Sequence, residues 1–134
     1  MARWSPVVLS ALRIMAALLF LEHGLMKLFA FPGPQPGVGS PLPPLLLAAA
    51  LIEVAGGLLL ALGLFTRITA FVCSGQMAAG YFIGHASKGF WPGLNGGDAA
   101  ILFCFVFLYL ATAGGGAWSL DALLGRSVRT ESRH

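Results

Sequence analysis

Residues 6–29 read PVVLSALRIMAALLFLEHGLMKLF, a run long and apolar enough for a helix to cross the roughly 30 Å hydrocarbon core of a bilayer. Pro6 behind Ser5 suits the first turn of a helix, and Phe31-Pro32-Gly33-Pro34 stops it. Inside the run lie Arg13, Glu22, His23 and Lys27. A charge in hydrocarbon is costly unless paired, hydrated or neutralised, so ionisable groups there mark a site or an internal strut. The same residues interrupt the unbroken apolar core that a cleaved signal peptide needs, so the segment is expected to be retained as a span.

Three more apolar stretches follow, at about 44–65, 68–85 and 98–114. The chain is 57% hydrophobic and 10% charged, whereas charged residues make up about a quarter of a globular protein. Its 134 residues accommodate four short-linked spans and no more. The expected fold is therefore all-α: an integral membrane four-helix bundle with antiparallel up-down connections. One domain covers residues 1–124, and 125–134 form a flexible cytoplasmic tail.

The connections carry their own signals. The proline-rich segment after Phe31 cannot continue a helix and must lie outside the hydrocarbon or pack on protein. Gly56-Gly57 permits close helix approach in the second span. Thr66-Arg67 reads as a very short turn that pairs the second and third spans and leaves Arg67 at a membrane face. Phe90 and Trp91 suit the interfacial belt, Asp98 is placed to cap the fourth span, and Gly114-Gly115-Gly116 ends it.

Arg3, Arg67, Arg126, Arg129 and Arg133 fall on the side bearing both termini, against Lys27 and Lys88 on the other. The positive-inside rule then places both termini in the cytoplasm. The formal charge of +3 forms no basic stripe, so nucleic acid is not an expected partner and the bilayer is. Cys73 and Cys104 lie in apolar runs without paired spacing and read as packing residues.

At 1.5 Å per residue, Glu22 lies about 10 Å and Glu53 about 14 Å from the outer ends of their spans. His23, Lys27, Gln76 and His85 fall in the same outer half. At about 100° per residue, Arg13, Ala17, Phe20, His23, Gly24 and Lys27 share one stripe of the first helix, with Glu22 opposite Arg13. Arg13 and Glu53 lie within reach across the first two spans, so an Arg13–Glu53 ion pair is expected as a strut. His23 and His85 differ in depth, which disfavours a haem between them. Glu22, His23 and Glu53 lack the Glu-x-x-His repeats of carboxylate-bridged metal bundles, so no metal site is expected. A quinone needs only an apolar slot with a few donors and acceptors, and Glu22, His23, Lys27, Gln76, His85 and Trp91 are the candidate ligand-binding residues. His23, Lys27 and His85 are the catalytic candidates; Arg13, Glu53, Arg67, Asp98 and Asp121 are expected as structural polar groups.

Leu12-Arg13 to Phe20, Glu22-His23-Gly24 and Lys27-Leu28-Phe29 together resemble the first helix of the DoxX family of small bacterial membrane proteins. Glu53 with Gly56-Gly57, then Gly63-Leu64 and Thr66-Arg67, is similar to its second helix and turn. Phe90-Trp91-Pro92, Asn95-Gly96-Gly97-Asp98 and the stretch from Gly114 to Asp121 continue the pattern, over about residues 8–124. Asp98 stands where a Glu is usual, and Gly115 where a Pro is common. The resemblance implies a multi-pass protein of the cytoplasmic (inner) membrane. The family takes its name from a small subunit of an archaeal thiosulfate:quinone oxidoreductase, and members are linked to thiol and oxidative-stress complexes.

The leading expectation is a membrane subunit of a quinone- or thiol-linked oxidoreductase system, with an outer-half polar pocket and a redox partner protein. A non-enzymatic scaffold or assembly factor is the alternative, with a homo-oligomer open to either. A solute channel is poorly supported, because Arg13 is the only charged group in the inner half of the spans.

Overall fold

Proline and glycine punctuate this chain wherever its helices stop. The computed structural model describes residues 2–131. A one-turn 3-10 helix, Ala2–Trp4, leads into α1 (Ser5–Phe29); α2 (Pro44–Leu62) and α3 (Thr66–Gly84) follow. After a 3-10 turn at Ala86–Lys88 come the single-turn α4 (Pro92–Asn95), α5 (Asp98–Ala113) and α6 (Leu120–Glu131). Among the described residues there is no strand.

Both α1 and α2 end on a left-handed residue, Ala30 and Gly63, whose N–H returns to the last turn. At α2, Gly63 adopts φ +70° and the Leu64 N–H reaches Leu59 O at 3.0 Å, the closing bonds of a Schellman end. The connection to α3 is therefore Gly63–Phe65. Thr66 and Arg67, expected as the turn itself, form the first turn of α3. Its end is capped from far along the chain: Asp121 accepts hydrogen bonds from the Phe65 and Thr66 N–H groups, each at 2.9 Å. Asp98, expected as a side-chain cap, is instead the first residue of α5 and makes no capping hydrogen bond.

Helix α1 packs on α2 and α3 on α5, with α2 against α3 and α1 against α5 closing the arrangement. Two glycines set the register of α1 on α2. A Cβ at Gly24 would lie 2.9 Å from Glu53 Cβ, and one at Gly57 would lie 2.8 Å from Leu21 Cβ. No side chain fits at either point, so the backbones meet there. Between the helices, Phe20 stands edge-on to Phe107 at 4.9 Å, with Leu60, Leu110, Ala17, Ala70 and Cys73 buried around them.

The outward faces are also apolar. Met15 and Leu19 of α1, Leu51 and Leu58 of α2, Phe71 and Phe82 of α3, and Leu102 and Phe105 of α5 are all exposed. Water tolerates no such continuous apolar jacket; lipid does. Ala2–Phe29 and Pro44–Leu62 are long and apolar enough to cross a membrane, and Asp98–Ala113 is apolar but shorter.

After α5 the chain folds back onto α1. Ser10 Oγ accepts from the Trp118 N–H at 2.9 Å, and the Ala117 N–H reaches Pro6 O at 3.2 Å. Arg13, 1% exposed, donates to the carbonyls of Gly115 and, at 2.7 Å, Trp118. The expected Arg13–Glu53 pair is not formed; Arg13 instead holds the chain reversal after α5. The reason is register. With Leu21 against Gly57, Arg13 comes level with Gly63, about 15 Å along α2 from Glu53. Beyond the reversal the chain is helical through Glu131, which takes in most of the stretch expected as a flexible tail over 125–134; residues 132–134 lie outside the described residues.

Candidate functional site

At the end of the helices where the Ala30–Pro43 segment lies, α1, α2, α3 and α5 diverge around a cavity of about 320 Å³. Its apolar wall includes Phe20, Leu46, Met77 and Phe103; its polar wall is His23, Lys27, Gln35, Glu53, Gln76 and His85. Four of the six residues expected to bind a ligand thus come together: His23, Lys27, Gln76 and His85. Glu22 is half-buried and Trp91 is exposed, and neither lines the cavity.

Lys27 and Glu53 dominate the electrostatics. Lys27 Nζ donates to both carboxylate oxygens, at 2.9 and 2.8 Å, with the side chains 7% and 3% exposed. The α1–α2 register explains the pairing. Gly24 puts its backbone against Glu53, and Lys27 follows one turn further along the same face, within reach of its flexible stem. The two charges cancel, so the cavity is polar but formally neutral.

Both histidines are held through Nδ1, His23 on Leu19 O at 2.7 Å and His85 on Asn95 O at 3.1 Å. A carbonyl only accepts, so Nδ1 carries a proton, and in the neutral tautomer of such a ring Nε2 is an acceptor. His23 also packs edge-on to Phe103. Asn95, 4% exposed, organises the loop around His85: its amide nitrogen donates to Gly89 O and Tyr81 Oη, and its oxygen accepts from the Gly97 N–H. The Asn95-Gly96-Gly97 run of the sequence is thus the support of one cavity wall.

Gln35 and Gln76 are the unusual members. Each amide oxygen is buried with no hydrogen-bond partner among the described residues. Gln76 belongs to α3 and was legible by depth; Gln35 sits in the proline-rich connection, where no periodicity points at it.

The remaining polar candidates lie elsewhere. Arg67, at the start of α3, donates to Thr112 O at 2.6 Å and so caps the end of α5. It borders a hollow of about 700 Å³ at the opposite end, shared with Ser5, Thr66, Gly115 and Asp121. Burial there pushes the Asp121 carboxyl up, but hydrogen bonds from Thr66 and Phe65 and the charge of Arg13 outweigh it and hold the group below the usual carboxylate range. Cys73 and Cys104 are both free thiols, and Cys73 packs against Gly56. Among the described residues no three His, Cys, Asp or Glu side chains gather as a metal-ligand set.

The DoxX family model matches residues 8–86. An uncharacterised protein of Haemophilus influenzae is 44% identical over 126 residues, covering 89% of this chain and 92% of its own. The inner membrane protein YphA of Escherichia coli is 32% identical over 132 residues, covering 87% and 89%. No solved structure matches. With the family model spanning more than half the chain and an inner membrane protein among the relatives, the chain is a membrane protein and belongs to the DoxX family.

Proposed function

We propose that α1, α2, α3 and α5 span the cytoplasmic membrane as a four-helix bundle with both termini inside. The cavity then opens in the outer half and receives the polar head of a quinone or similar amphiphile. The observation that carries this reading is the pair of buried, unpartnered glutamine amide oxygens that line one cavity with a buried ion pair. An unmet buried polar atom costs about 1–3 kcal/mol, and a helix-packing role gives no return for it. A bound head group does.

The residues divide the work by position. Lys27 has a third N–H beyond the two given to Glu53, suited to a head-group oxygen on which negative charge develops during reduction. His23 and His85, anchored through Nδ1, present Nε2 for proton exchange. Phe20, Met77 and Phe103 pack the ring or chain. Electrons come from a partner protein, which makes this chain the membrane subunit of a redox system.

Native mass spectrometry and lipid extraction of gently purified protein test the reading, comparing wild type with His23→Ala and Gln76→Ala. The expected result is a stoichiometric amphiphile in the wild type that both variants lose while remaining folded and monodisperse. A protein that is empty in all three, and still carries a protein partner, would instead be a scaffold.

A further inference from the structure

The cavity's hydrogen-bonding inventory narrows the chemistry of its occupant, on the reading that an amphiphile head binds there. Anionic heads are poorly served. The cationic group on the wall, Lys27, is already neutralised by Glu53 through two short bonds. A carboxylate, sulfate or phosphate brought in would find no uncompensated positive charge and would itself be desolvated.

Heads that only accept hydrogen bonds are also incomplete. The cavity carries two buried acceptors without a donor, the amide oxygens of Gln35 and Gln76, and His23 and His85, held through Nδ1, add Nε2 as an acceptor wherever the ring is neutral. A quinone carbonyl, an ether or an ester has nothing to give them. Water or a turn of the amides relieves part of this, but an amide turn exchanges one unmet group for another. The wall also retains donors, the amide N–H groups and the third N–H of Lys27. A hydroxyl group both donates and accepts, so it fits either orientation.

We propose that this cavity selects an uncharged amphiphile whose head bears two hydroxyl groups, hydroquinone-like or diol-like, over acceptor-only and anionic heads. His23 and Gln76, on α1 and α3, are the specificity-determining acceptors inside the helix framework, and Gln35 supplies a third from the connecting segment. For a quinone couple the consequence is thermodynamic. Preference for the dihydroxy form makes the bound quinone easier to reduce by the same factor. A hundredfold preference corresponds to roughly 60 mV for a two-electron couple.

The test is anaerobic titration of the full chain in detergent with four decyl probes: decylhydroquinone, its O,O-dimethyl ether, monodecanoylglycerol and decanoate. Two neutral hydrogen bonds at about tenfold each predict that the hydroquinone binds roughly a hundredfold tighter than its ether. Decanoate should do no better than the ether. Gln76→Leu should weaken the hydroquinone about tenfold and leave the ether unchanged. Since that amide oxygen has no partner to lose, the ligand-free variant should melt no lower than ligand-free wild type. Monodecanoylglycerol matching the hydroquinone assigns the native head to the diol class, and weaker binding assigns it to the aromatic class; either supports selection by hydroxyls. Ether or decanoate binding as tightly as the hydroquinone overturns the inference while leaving the pocket reading intact. If none of the probes binds, both fall.

Discussion

Replacing Lys27 by Met tests the site where its energy is concentrated. The methionine keeps the stem and removes the charge, leaving the Glu53 carboxylate 3% exposed in the middle of α2 with no cation beside it. Breaking a buried pair by deleting one partner costs about 3–5 kcal/mol, whereas replacing both partners by apolar side chains is near neutral. Lys27 sits in the last turn of α1, where a long stem can carry its ammonium towards water. Glu53 has no such exit, so Glu53→Leu should cost less than Lys27→Met. The double variant should recover most of the loss. The assay is a double-mutant cycle on unfolding in detergent, where a coupling energy of about 2 kcal/mol or more is expected between Lys27 and Glu53. A parallel cycle on Arg13 and Glu53 should give a coupling close to zero, because the two lie at different levels of the α1–α2 interface. A Lys27–Glu53 coupling below about 0.5 kcal/mol, the level at which independent sites add, would refute the pairing.

Asp121→Ala should cost about 1–2 kcal/mol through loss of the α3 cap. It should also flatten the acid limb of stability. Because the folded carboxyl lies below its usual range, its contribution is complete above the unfolded value of about 3.9 and disappears as pH falls through the folded value. Melting curves of wild type and variant should therefore converge in strong acid, and a constant gap down to that range would count against the cap. Gly57→Ala should destabilise by about 1–3 kcal/mol, since its Cβ would press on the Leu21 backbone. Gly75→Ala, with nothing within 4 Å of its Cβ, should stabilise α3 by up to about 1 kcal/mol. Melting temperatures moving the same way in both variants would defeat this reading of the interface.

Much of the architecture is legible in local pattern. Length and apolarity mark the four long helices to within a few residues, and the 100° period of residues 13–27 picks out the face of α1 that buries Arg13, Ala17, Phe20 and Gly24. Depth counting also brings His23, Lys27, Gln76 and His85 to one end. The partners are what local pattern misses. Counting from helix ends assumes that α1 and α2 begin in one plane, but contact of Gly24 and Gly57 with the opposing helix sets a different stagger. That stagger moves Glu53 from Arg13 to Lys27. The Asp121 cap on α3 joins residues more than fifty positions apart, and the proline-rich segment that delivers Gln35 has no repeat to read.

Arg13 finds its acceptors 102 and 105 residues downstream, on Gly115 and Trp118. At about 5–20 residues per second of translation, those carbonyls leave the ribosome on the order of ten seconds after Arg13 does. During that interval the first helix holds a guanidinium that has no native partner. It cannot settle into its final place until Gly115 and Trp118 have been synthesised. Maturation of the first helix is therefore timed by the segment from Gly115 to Trp118: a chain arrested before Trp118 carries an unmatched cation within α1 that the folded molecule no longer displays.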